Sequence, residues 1–249
     1  MVWGLTQRLP NVSLTLAVPS RCAELFHDQQ VDLALLPIGA LQEQTHARVL
    51  EGYCIGARGA VESVGIYAHR PIEQVRRIYL DPDSRTSTLL TRILLARYWG
   101  LQPELVPLSP LFLEQKRCEQ EEAVLLIGDK VFAYRDHYEY AYDLGLAWNA
   151  YAGLPMVFAV WVTHQMTETP WLNDFLQALA YGVENIPLAI QDYPLPHPIS
   201  SQHAIEYLSQ RIDYHFDQGK QAALQRFQEE VRRLPDSAPI PFHSTMLCQ

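Results

Sequence analysis

The sequence predicts an α/β protein. Short β-branched and aromatic runs alternate with helix signals through the first two thirds of the chain. The run "MVFAVWVT" (Met156 to Thr163) has the composition of a buried strand. Beyond Thr163 the apolar spacing changes to three and four, the helical period.

The elements follow in order. "VSLTLAVP" (Val12 to Pro19) alternates like a strand, and "SRCAELFHDQQ" reads as a helix capped by Ser20. "VDLALLPIGAL" (Val31 to Leu41) reads as a strand running into a loop, which completes a small βαβ unit. "VESVGIYAH" is the next strand, "PIEQV" a short helix opened by Pro71, and "RRIYLD" a further strand. A helix then runs to Tyr98, "ELVPLS" is strand or loop, and "EAVLLIGDKVFAY" (Glu122 to Tyr134) reads as strand, turn and helix start. "WLNDFLQALAYGVENI", "SQHAIEYLSQRIDYHF" and "KQAALQRFQEEVRRL" read as three helices, and the proline-rich tail "PDSAPIPFHSTMLCQ" as irregular.

Composition narrows the function. The chain has 249 residues, 48% of them hydrophobic, enough for a large core. Its net charge of -9 with no Lys/Arg block argues against nucleic acid or an anionic membrane and favours a small ligand. Cys22, Cys54, Cys118 and Cys248 lie far apart with no CxxC, as suits reduced thiols better than a disulfide framework or zinc site. No apolar run reaches the ~18 residues of a membrane span, and "MVWGLTQRLP" lacks signal-peptide character, so the expected location is the cytoplasm. The nine histidines include no helical i, i+4 pair, so no metal is expected. There is no G-x-S-x-G, H-E-x-x-H, P-loop or G-x-G-x-x-G. "YRDHYEYAYD" (Tyr134 to Asp143) is too acidic for a base-stacking surface and reads as a packed surface segment.

The most informative stretch is "YLDPDSRTSTLLTRILL" (Tyr79 to Leu95). Leu89, Leu90, Ile93 and Leu94 make one helix face, which puts Ser84, Thr86 and Ser87 in the loop or first turn. A helix start carries unpaired N–H groups and attracts an anion; the hydroxyls can donate beside them and Arg85 can add a charge. A carboxylate or phosphate fits there, although one of the hydroxyls can equally serve as an N-cap.

Several blocks taken together, "LALLPI" (Leu33 to Ile38), "SRTST" (Ser84 to Thr88), "LLIGDK" (Leu125 to Lys130) and "YDLGLAWNAYAGLPMVFAVW" (Tyr142 to Trp161), resemble the chorismate dehydratase family, which opens the futalosine route to menaquinone. The sister family, 1,4-dihydroxy-6-naphthoate synthase, is built on similar lines, but "GLPMVFAVW" looks more like the dehydratase. The resemblance implies the two-lobed fold of periplasmic (type II) solute-binding proteins. Lobe one is then expected from residues 1–68 plus 159–249 and lobe two from 69–158, with the ligand in the cleft. It implies substrate contacts at Ser84, Arg85, Thr86 and Ser87, and further ones at Ser63 and Asp129. Ser63 can also be an ordinary strand residue, and Asp129 can simply cap a helix. Arg58 and Ala60 depart from the aspartate and proline usual in the family before the serine. About twenty family residues that normally precede "MVWGL", a first strand and a loop asparagine, have no counterpart, which is the expectation for a late-assigned start. The implied reaction removes water from chorismate to give 3-[(1-carboxyvinyl)oxy]benzoate without a cofactor. No histidine or glutamate in the motifs stands out as the base, which leaves the substrate's own enolpyruvyl carboxylate for that role. A small-carboxylate receptor of the same architecture is the alternative reading.

Overall fold

The computed structural model describes residues 1–81, 84–109, 112, 118–165, 170–196 and 198–235. In chain order its strands are β1 (Leu33–Pro37), β2 (Arg48–Ala57), β3 (Val64–Ala68), β4 (Arg77–Leu80), β5 (Glu104–Pro107), β6 (Glu122–Ile127), β7 (Tyr140–Asp143), β8 (Met156–Thr163) and β9 (Asp213–Phe216). The helices are α1 (Val2–Arg8), α2 (Pro19–His27), α3 (Arg85–Leu94), α4 (Asp129–Tyr134), α5 (Leu144–Ala152), α6 (Pro170–Glu184), α7 (Ile186–Asp192), α8 (Ser201–Gln210) and α9 (Gln218–Arg232).

Two sheets organise these elements. The first has the order β1-β8-β2-β9 with every pairing antiparallel; the second has the order β5-β4-β6-β3-β7, parallel at β4 with β5 and β6 and antiparallel at β3 with β6 and β7. The "MVFAVWVT" run is β8, central in its sheet and buried along nearly its whole length, as its β-branched and aromatic content predicts. Val160 and Val162 join a core with Phe26, Trp148 and Phe227, while Trp161 faces the other way and meets Phe175 of α6 edge-on at 5.0 Å. Emptying the Phe227 position would cost about 3–5 kcal/mol by lost burial and cavity formation. "EAVLLI" makes β6, the buried centre of the second sheet, for the same reason.

Helix α1 crosses α6 at two glycines. A Cβ on Gly182 would lie 2.5 Å from the Met1 carbonyl oxygen and 2.9 Å from the Gly4 nitrogen, so only hydrogen at that position lets the backbones meet.

Four sequence expectations change. Residues 12–18 form no strand: no described strand pairs with them, and Val12, Leu14, Leu16 and Val18 are 52%, 36%, 67% and 53% exposed. Helix α2 is opened by Pro19 after Val18 and not by Ser20, because proline's fixed φ suits the first helical position and its missing N–H loses nothing there. "RIDYHF" leaves the helix to supply β9, since its alternation of buried and open residues fits the edge of the first sheet. Residues 48–57, where the sequence pattern predicts no element, form β2, the longest of the described strands. Two register shifts and Gly52 at φ 95° break its period of two, which hides it from pattern reading. The chain changes sheet between β2 and β3, at residues 58–63, and returns between β7 and β8. The tail from 236 on, with Cys248, lies outside the described residues.

Candidate functional site

The first crossover is held by one carboxylate. Asp143 accepts the Val61 N–H at 3.0 Å, the Glu62 N–H at 2.7 Å and, as N-cap of α5, the Leu146 N–H at 2.9 Å. Those bonds hold Glu62 in a left-handed conformation, φ 63°, that a non-glycine residue adopts only under such restraint. The Glu62 carboxylate in turn pairs with Arg211, just after α8, at 2.6 Å. The left-handed turn delivers Ser63, whose carbonyl accepts the Gly128 N–H at 2.7 Å. Gly128 sits at φ 56°, ψ −135°, a region that needs glycine, and starts α4. Ser63 Oγ accepts the Tyr207 hydroxyl from α8 at 2.7 Å.

The start of α3 lies on the same cavity. Ser84 is the N-cap and its Oγ accepts the Ser87 N–H at 3.2 Å. Thr86 Oγ1 accepts the Gly39 N–H at 3.1 Å and donates to the Phe158 carbonyl oxygen at 3.1 Å. Gly39 rides directly over this turn: a Cβ there would lie 2.8 Å from both Arg85 C and Thr86 N. Ser87, also buried, adds a hydroxyl for which no partner is found among the described residues.

Ser63, Ser84, Thr86, Ser87, Gly128 and Tyr207 line one cavity of about 830 Å³. An alcohol oxygen that accepts a hydrogen bond still has its own proton to give. Ser63 and Ser84 are therefore left as donors, Ser87 is a donor, and Thr86 is already engaged on both sides. The free O–H groups of Ser63, Ser84 and Ser87 are complementary to an acceptor-rich group, and Asp32 and Asp174 also wall the same cavity. Neither Lys nor Arg is among the described lining residues, so the donors act as dipoles. Leu35, Trp161, Phe175 and Val12 give the lining its apolar surface.

Arg85 and Asp129 stand apart from this lining. Arg85 pairs with Glu43 at the surface. Asp129 is exposed in the first turn of α4, where Gly128 is the N-cap, so it neither caps that helix nor reaches the lining. Sequence reading missed Tyr207, because a tyrosine within a helix 144 residues from Ser63 carries no local signal. Burial pushes the Tyr207 phenol up from its ordinary value, with Asp129, Glu62 and Asp143 adding to the rise against the opposing bond to Ser63. It is therefore a neutral hydroxyl at physiological pH. Among the described residues no group of three or more His, Cys, Asp or Glu side chains could hold a metal ion, and no helix is long and apolar enough to cross a membrane.

A family profile described as menaquinone biosynthesis matches residues 1–233. The chain belongs to the menaquinone biosynthesis family. Solved structures place the same fold elsewhere. The protein AF1704 from Archaeoglobus fulgidus is 18% identical with a TM-score of 0.67, over 88% of this chain and 85% of that one. An ABC transporter structure from Parabacteroides distasonis is 13% identical with a TM-score of 0.61, over 94% and 89%. The alkanesulfonate-binding protein SsuA from Xanthomonas axonopodis pv. citri, bound to MOPS, is 17% identical with a TM-score of 0.61, over 94% and 88%. This member of the menaquinone biosynthesis family thus has the α/β, periplasmic-binding-protein-like fold expected from its sequence.

Proposed function

We propose that this chain is a chorismate dehydratase acting in the cytoplasm, a carbon–oxygen lyase that converts chorismate to 3-[(1-carboxyvinyl)oxy]benzoate and water. The two sheets are read as two lobes with the substrate between them. On this reading the boundaries fall at the sheet changes, 58–63 and between β7 and β8, and not at 68/69 and 158/159 as the sequence reading has them, because β3 pairs in the second sheet and β8 in the first. The observation that carries the reading is the set of hydroxyl donors, Ser63, Ser84 and Ser87, that line one cavity in a chain of the menaquinone biosynthesis family.

Chorismate carries two carboxylates, and in a protein of charge -9 local donors must receive them. Loss of the ring C3 proton and the C4 hydroxyl makes the ring aromatic, so the step is redox-neutral and strongly downhill. Serine donors on the ring carboxylate stabilise the charge that spreads into it as the C3 proton leaves, worth about 2–4 kcal/mol for one well-placed donor. The substrate's enolpyruvyl carboxylate takes that proton, close by virtue of the bound geometry, and passes it to the departing C4 hydroxyl, which leaves as water while the carboxylate is regenerated. Thr86 contributes by fixing the start of α3 against Gly39 and Phe158.

The likeness to SsuA bound to MOPS supports a second reading, a small-anion receptor without chemistry. Incubating the full chain with chorismate, with and without EDTA, and following the aromatic product by chromatography separates the two. Product in both conditions is expected. Chorismate recovered bound and unchanged favours the receptor, and product lost only under EDTA overturns the metal-free mechanism.

A further inference from the structure

We infer that Tyr207 is a positioning residue of this cavity, which by donating its phenol proton to Ser63 Oγ fixes Ser63 as a donor toward a ligand carboxylate. The inference rests on the carboxylate reading of the site but not on the dehydration chemistry.

Tyr207 and Ser63 both line the cavity, 2.7 Å apart, yet they come from α8 and from the crossover before β3. The direction of the bond between them follows from acid strength. A phenol, with an ordinary pKa near 10, is a far stronger donor than an alcohol, so the Tyr207 proton lies toward Ser63. Ser63 then has a lone pair engaged, and its own proton points to whatever occupies the cavity. A chain of the form phenol to serine to carboxylate has every donor aligned, and each link polarises the next.

The surroundings keep both ends of this chain still. The Tyr207 ring meets Phe132 edge-on at 5.3 Å, and Arg211, four residues on, clamps the Glu62 carboxylate next to Ser63 at 2.6 Å. Ser63 is fixed from the other side by the Gly128 N–H on its carbonyl and by the Asp143 hold on Val61 and Glu62. With Ser63 immobile, a change at Tyr207 alters which way the serine hydroxyl points and not where it stands.

The test is a double-mutant cycle read by calorimetry, with benzoate and chorismate as probes and benzamide as the uncharged control. Tyr207→Phe keeps the ring on Phe132 and removes only the proton donor. It is expected to weaken benzoate and chorismate about fivefold and to leave benzamide within about twofold, since the bond to a charged acceptor is the stronger one. Ser63→Ala is expected to weaken both carboxylates about tenfold or more. Adding Tyr207→Phe to Ser63→Ala is expected to produce no further loss, and Ser63→Thr, which keeps the hydroxyl, is expected to restore sensitivity to Tyr207→Phe. Equal weakening of benzamide and benzoate would show a packing role, and additive losses would show that Tyr207 acts independently of Ser63; either result overturns the inference. Failure of the wild-type chain to hold either carboxylate also overturns it. Coupling between the two residues without turnover of chorismate would retain the inference and remove the dehydratase reading, whereas turnover without coupling would do the reverse.

Discussion

Thr86 Oγ1 stands 3.1 Å from the Gly39 nitrogen and 3.1 Å from the Phe158 carbonyl oxygen, so a single hydroxyl ties the loop after β1, the first turn of α3 and β8 together. Thr86→Val keeps the shape and leaves both buried backbone groups unpaired, at a cost of about 2 kcal/mol or more. Ser87→Ala removes a hydroxyl that no described group engages, and its effect is expected on carboxylate affinity while stability stays within about 0.5 kcal/mol. Urea unfolding and calorimetry on the two variants check the contrast; similar stability losses in both would refute it.

Asp143 gives a second expectation. It holds Val61, Glu62 and Leu146 through one carboxylate, so Asp143→Ala should lose the α5 cap and the restraint on the left-handed turn together, about 2–3 kcal/mol. Amide exchange should quicken at Val61 and Glu62 before it does at β6. Unchanged protection at those two amides would mean the turn is held by something other than Asp143.

The acid limit of stability should run through a charge cluster beneath β2 and β9. Lys220 is fully buried, gives a hydrogen bond to the His215 carbonyl at 2.6 Å and forms a charge pair with Asp213 at 2.6 Å; Arg58 reaches Asp213 at 2.6 Å and also pairs with Asp217. Burial alone would push the Asp213 carboxyl up, but Lys220, the His215 N–H and Arg58 outweigh it and hold the group below its ordinary value. Asp217 is lowered as well, chiefly by the Lys220 N–H. The unfolded chain therefore takes up these protons first. The stabilisation is complete above the ordinary carboxylate range and is lost as pH falls through the lowered folded values, below about 4. Asp213→Asn should flatten the acid limb of a stability–pH curve and, by leaving Lys220 without its carboxylate, cost about 3 kcal/mol at pH 7. An acid limb identical to wild type would place the titrating groups elsewhere.

Gly182 offers a purely steric test. With the Met1 carbonyl oxygen 2.5 Å from where a Cβ would sit, Gly182→Ala must push α1 off α6. The expected loss is about 2 kcal/mol, within the range for overpacked cores, read as a lower melting temperature. A variant that melts with wild type would mean that α1 contributes nothing to the fold.

Much of the fold is legible in the sequence because the buried strands of an α/β protein write continuous apolar text. "MVFAVWVT" and "EAVLLI" are β8 and β6, and the helix start after "YLD" lies where the leucine spacing puts it. β2 is not legible, because bulges and Gly52 scramble its alternation. Residues 12–18 show the opposite failure: the alternation is present, but a strand also requires a neighbour to bond with, which no local pattern reports. At the site, the helix start with hydroxyls at residues 84–87 is legible in the sequence, but which hydroxyl caps it is not, and the double engagement of Thr86 depends on Gly39 and Phe158, 47 and 72 residues away. Arg85 shows that a charge beside a helix start can find its partner at the surface, here Glu43.

The position of β1 also bears on how the protein behaves in concentrated solution. It is an end strand, bonded to β8 on one side, and no described strand bonds its other side. The 12–17 segment lines the same cavity as β1, and its Val12, Leu14 and Leu16 are exposed. Open strand edges beside sticky aliphatic chain are templates for edge-to-edge growth, and this one has no lysine or bulge and is blunted only by Pro37 at its end. Light scattering that climbs with protein concentration, and falls when Leu16 is replaced by lysine, is the behaviour this geometry foretells.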